Sequence, residues 1–99
     1  MPNLLQRKLL EVAVGGYIGS YTSRNWSSIT FSGDTHQFCF IFTDLQDANI
    51  FCQLIADEKV DVNLEAAKMM FASIHVVERD TLSDLEHVVT VEVVTLDEG

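Results

Sequence analysis

Leu5, Leu9, Val12, Ala13 and Gly16 recur at i, i+4, i+7, i+8 and i+11, the spacing of one helical face. Pro2 suits the first turn of such a helix, where its missing N–H costs nothing. The spacing predicts a first helix over about residues 3–14. A strand carrying Leu10, Val12 and Val14 on one side is the rival, and Gly15-Gly16 ends either element. From Trp26 the period changes to two, with Ile29 and Phe31 alternating with Ser28, Thr30 and Ser32 as in a half-buried strand. Ser32-Gly33-Asp34-Thr35 offers turn chemistry, after which Phe38, Phe40 and Phe42 share one face of a second strand and Cys39 and Ile41 the other. A strand apolar on both faces belongs in the middle of a sheet.

Asp44 is placed to cap a second helix, with Asp47 beside the positive end of its dipole. Leu45, Ala48, Phe51, Cys52 and Ile55 form its predicted buried stripe, and Gln46, Asn49 and Gln53 a polar wedge opposite. Ile50 and Leu54 widen the apolar surface beyond that stripe. Residues 60–73 carry two patterns at once. Val60, Val62 and Leu64 alternate as a strand does, while Asn63 to Met70 is good helix material with Asn63 as its cap. A loop or short turn is expected there, then a strand over about residues 70–79 and a polar turn over residues 80–84. A last strand turns Val89, Val91 and Val93 inward and Thr90 and Glu92 outward.

The order α-β-β-α-β-β predicts an α+β two-layer sandwich, an antiparallel sheet of about four strands with two helices packed on one face. At 99 residues a single domain is expected, without internal repeats or a Pro/Gly-rich linker. A hydrophobic fraction of 47% is ordinary globular usage and excludes a disordered acidic chain. Glu11 interrupts the apolar stretch after Arg7 and Lys8, and no small-x-small cleavage site follows. With no run of the length a membrane helix needs, an intracellular, cytoplasmic protein is expected. On that basis Asn25-Trp26-Ser27 is a chance match to the glycosylation sequon.

Charge is placed unevenly. Residues 34–99 hold fourteen carboxylates against Lys59, Lys68 and Arg79, a formal balance of −11, whereas the first 33 residues set Arg7, Lys8 and Arg24 against Glu11 alone. Six cations without a basic run argue against direct nucleic-acid binding.

Candidate chemistry is sparse. Two cysteines do not make a disulfide framework, and Cys39 and Cys52 read as reduced core thiols. His36-x-x-Cys39 is the one pair at zinc-like spacing; with Cys39 and Cys52 at core positions and the histidines read as surface imidazoles, no metal is expected. Gly15-Gly16-x-x-Gly19 resembles a phosphate cradle, but that use needs a strand before the glycines and a helix after them. Gly19-Ser20-Tyr21 lacks the second glycine of a nucleophile elbow. Acid–base work needs two carboxyls in contrasting environments, and none reads as buried. No catalytic residue and no cofactor is therefore assigned.

With Asp44 and Asp47 assigned to the helix start, the eight acids between Asp57 and Glu86 are the expected partner-binding surface: Asp57, Glu58, Asp61, Glu65, Glu78, Asp80, Asp84 and Glu86. Their complement is a basic protein, since opposite potentials steer association. The expected function is a non-enzymatic protein–protein interaction domain. Small acidic inhibitors of nucleic-acid enzymes, including phage anti-defence proteins, are similar in charge and size, a likeness of class that no residue pattern sharpens. Simple solubility is the competing explanation of the acids. A small dimeric enzyme or ligand-binding domain with a pocket between helix and sheet is the alternative, with His75 or Tyr17 as its polar groups. The valine-rich run from Val88 to Val94 is a pairing template if left at a sheet edge, and a homodimer through it is expected on that condition.

Overall fold

A computed structural model describes residues 4–97. Along the chain run α1 (Leu4–Val12), β1 (Gly16–Ser27), β2 (Ser32–Phe42), α2 (Leu45–Ala56), a single 3-10 turn (Glu65–Ala67), β3 (Met69–Ser83) and β4 (Glu86–Asp97). The described residues form one four-stranded antiparallel sheet in the order β1-β2-β4-β3. None of its helices is long and apolar enough to cross a membrane.

The core follows from the alternation in the two central strands. Phe38, Phe40 and Phe42 of β2 and Val89, Val91 and Val93 of β4 are all fully buried. They lie side by side because the register sets Phe38 opposite Val91, Phe40 opposite Val89 and His36 opposite Val93. Onto this surface α2 lays Phe51, its ring centroid 5.1 Å from Phe40 in an edge-on contact and 5.5 Å from Phe42. Leu5 and Leu9 of α1 belong to the same buried cluster. Gly15, at φ +85°, takes the left-handed turn that stops α1 and starts β1. Pro2 and Asn3 lie outside the described residues.

Several expectations change. The first strand is Gly16–Ser27, upstream of its expected place, and Ile29 and Phe31 sit in the turn that joins it to β2, both exposed. Ser28 and Phe31 close that turn, the Ser28 N–H donating to the Phe31 carbonyl at 2.7 Å. Gly33, Asp34 and Thr35, expected as turn residues, are instead the paired start of β2. Alternation of Ile29 and Phe31 in a short window cannot distinguish a strand from a turn whose apolar side chains face outward.

Asp44 caps α2 as its position predicts, accepting from the Gln46 N–H at 2.8 Å. Leu45, assigned to the buried stripe, is the first residue of the helix and is 48% exposed. Val60, Val62 and Leu64 are buried without forming a strand. Asn63 accepts from the Glu65 N–H and starts one 3-10 turn only, which Lys68 ends at φ 56°. β3 continues through the residues expected as a polar turn, leaving Asp84 and Leu85 to turn the chain.

Position in the sheet corrects one more expectation. β4 is hydrogen-bonded to β2 on one side and β3 on the other, so the Val88 to Val94 strand is no edge and its backbone cannot pair with a second copy. Its valine content is explained by the core instead.

Candidate functional site

β3 is an edge strand, and its register breaks three times, between Phe71 and Ser73, Val76 and Glu78, and Thr81 and Ser83. Each break is a bulge that shifts the alternation by one. Val76 lies opposite Val91 on the core side, but after the exposed Val77 it is Glu78 that meets Thr90 and Asp80 that meets Val88, on the opposite face. Without the bulge, Glu78 and Asp80 would follow Val76 into the core. Arg79 takes that side instead and donates to Asn49 Oδ1 of α2 at 2.8 Å.

A bulge at Gly19 does the same for β1, setting Ser20 opposite Cys39. A side chain at Gly19 would meet Ile41 Cδ1 at 2.6 Å, so the glycine leaves room for the Ile41 side chain. Together these features make a hollow of about 360 Å³ on the sheet, lined by Gly19, Ser20, Cys39, Ile41, Glu78, Asp80, Leu82, Val88 and Thr90. Its floor is apolar, and Thr90 Oγ1 donates to Cys39 Sγ at 3.9 Å. Both carboxylates stand on the β3 side. Further along this face His75 Nε2 lies 3.5 Å from Glu92 Oε1.

The eight acids form two groups. Asp57, Glu58, Asp61 and Glu65 surround the exit of α2 and the segment leading to the 3-10 turn, Asp61 and Glu65 lying beside Met69 and Phe71 at the start of β3. Glu78 and Asp80 lie in the hollow, with Asp84 and Glu86 at the turn beyond it. Phe71 and Glu78 pair with Thr95 and Thr90, five residues apart on β4 and roughly 17 Å at about 3.3 Å each, and Glu58 reaches into that span, lining a cleft with Val76 and Arg79. The first group is also less bare than the sequence implies. Lys8 of α1 lines a small hollow together with Asn63 and Glu65.

His36 and His87, expected as surface imidazoles, are 4% and 7% exposed. His36 joins a buried chain, with Nδ1 2.8 Å from the Tyr21 hydroxyl and Nε2 3.0 Å from Thr95 Oγ1. Burial pulls its pKa below the ordinary 6.5, against the opposing pull of Asp34. The sequence signal was its position, since His36 shares the parity of Phe38, Phe40 and Phe42. Cys39 lies on the other face, so His36 and Cys39 do not converge.

A second concavity, about 490 Å³, lies between α2 and the β3 edge. Cys52, Ile55, Ile74 and Val76 give it apolar walls, and Glu58 and Arg79 are its charged groups. Burial raises the Cys52 thiol pKa, an effect the nearby Arg79 partly offsets. His75, one of the two polar groups expected for a pocket, borders this cleft on the strand, but its imidazole stands beside Glu92 on the other face; Tyr17 is on β1, at the far edge.

Comparison with protein-family models, curated proteins and solved structures finds no match, so the functional reading rests on this chain's own residues.

Proposed function

We propose that this is a non-enzymatic interaction domain: a two-layer sandwich with both helices on one face, using the other face of its sheet to take a basic protein partner. The observation that carries this is the pair Glu78 and Asp80, delivered by the Val77 bulge to the rim of a hollow with Ile41, Val88 and Leu82. An inserted lysine or arginine fits such a site chemically, its aliphatic stem lying on the apolar floor and its charge meeting the two carboxylates. Asp84 and Glu86 extend the same potential beyond the hollow. Asp57, Glu58, Asp61 and Glu65 act at longer range, attracting the partner and slowing like-charged competitors. Where the partner's basic surface normally holds nucleic acid, binding amounts to inhibition, as with small acidic anti-defence inhibitors. The reading places the protein in the cytoplasm, where such partners are met.

The test is affinity capture from the cell of origin with the wild-type chain and two charge-reversed variants, Glu78→Lys/Asp80→Lys and Asp57→Lys/Glu58→Lys/Asp61→Lys/Glu65→Lys. A basic partner should be retained by the wild type, lost from the first variant and weakened in the second, with its capture falling as salt rises. The same retained proteins for all three chains would remove the assignment. The cleft between α2 and β3 favours a second reading as a small-ligand site, with Arg79 as the group for an anionic ligand.

A further inference from the structure

The two edges of the sheet are protected to different degrees. β3 is broken by three bulges and carries Glu78, Arg79 and Asp80, devices that discourage another strand from pairing. β1 has one bulge, at Gly19, and from Ser20 to Ser27 its pairing with β2 is unbroken. Its twelve residues include Arg24 and no acid, in a chain of net charge −9. A regular, uncapped edge of this length is a pairing template.

The direction of its free groups can be read from the turn. Ser28 donates inward to the Phe31 carbonyl. Because an antiparallel strand points its N–H groups alternately to either side, Trp26, Arg24 and Thr22 also point toward β2, and Asn25, Ser23 and Tyr21 point outward. We infer that β1 pairs antiparallel with β1 of a second copy about a two-fold axis, joining two four-stranded sheets into one of eight. With Ser23 opposite its symmetry mate, Arg24 meets Thr22 of the second copy and Trp26 meets Ser20, so no like charges face each other. A second copy fits this edge better than a basic protein does, because β1 offers a basic partner no carboxylate. Two chains of charge −9 repel least where each presents its acid-free strand. The inference rests on the β1 backbone edge and not on the partner proposed for the sheet face, the two surfaces sharing Ser20 alone.

The mass of the full chain in solution, by light scattering or sedimentation equilibrium, tests it. The wild type should run at twice the 11.1 kDa chain mass, and dimerisation should strengthen with salt as repulsion is screened. Ser23→Pro removes an outward donor that β2 does not use, so it should give a monomer with unchanged circular dichroism. Ser23→Asp sets two carboxylates face to face across the axis and should also give a monomer. It decides the matter should the proline variant fail to fold, since Ser23 is exposed in the single chain. A wild type that stays monomeric at every concentration and salt overturns the inference. So does a folded Ser23→Asp variant that remains dimeric.

Discussion

The buried chain through His36 makes a prediction about acid stability. All three contacts are satisfied together when Thr95 Oγ1 donates to the Asp34 carbonyl at 3.5 Å and accepts from Nε2–H of His36, with Nδ1 accepting from the Tyr21 hydroxyl. That arrangement uses a neutral ring. Protonation would place a charge where exposure is 4% and require the Tyr21 hydroxyl to turn from donor to acceptor. The sign follows from the lowered pKa. The folded state binds the proton less readily than the unfolded chain, so stability is full above about 6.5, the unfolded value, and falls as pH drops toward the folded pKa. Removing the hydroxyl with Tyr21→Phe leaves a buried acceptor without a partner, a loss of about 1–3 kcal/mol. At about 4–8 °C per kcal/mol for a domain of this size, melting should fall by about 4 °C or more. Thermal melts of the wild type, Tyr21→Phe and His36→Gln from pH 8 down to pH 5.5 provide the assay, the range stopping above ordinary carboxylate titration. The wild type should lose stability across that range and His36→Gln should lose less. Equal slopes for wild type and a folded His36→Gln would refute the reasoning.

Two further outcomes follow from the core. Phe51→Ala removes a fully buried ring that contacts Phe40 and Phe42 and should cost about 3–5 kcal/mol, read from urea unfolding with an unchanged slope. Gly33→Ala would drive its methyl group into the Thr95 carbonyl oxygen, with Trp26 Cζ2 3.0 Å away, and should cost about 1–3 kcal/mol or more even though Gly33 can be replaced without backbone strain.

The parts of this fold legible in the sequence are those where one local rule acts alone. Phe38, Phe40 and Phe42 alternate without interruption and their strand is central; Asp44 stands before an apolar stripe and caps α2. The first strand was misplaced because Gly16 to Ser27 is polar at most positions and exposed along most of its length, so no period marks it. Apolar residues in the turn, Ile29 and Phe31, supplied a false one. In β3 three bulges reset the phase, and a period of two read across them assigns Glu78 and Asp80 to the wrong face. The acids were legible as residues, but their division into two groups was not, because it depends on the length of β3 and the path of residues 57–68.

The charge asymmetry along the chain acquires a spatial meaning through the strand order. β1 and β3 are separated by β2 and β4, so the acid-free strand and the strand bearing Glu78 and Asp80 become opposite edges of one sheet. Three strand spacings of about 4.8 Å put them roughly 14 Å apart. The hollow that holds Glu78 and Asp80 reaches across the sheet to Gly19 and Ser20, whereas the pairing inferred for β1 is centred on Ser23, so the two surfaces meet only at Ser20. Capture of a basic partner at the Glu78 and Asp80 side of the hollow leaves the β1 backbone edge from Tyr21 to Ser27 for a second copy. The two associations should respond to salt in opposite directions, because screening relieves repulsion between two acidic chains and weakens attraction to a basic one.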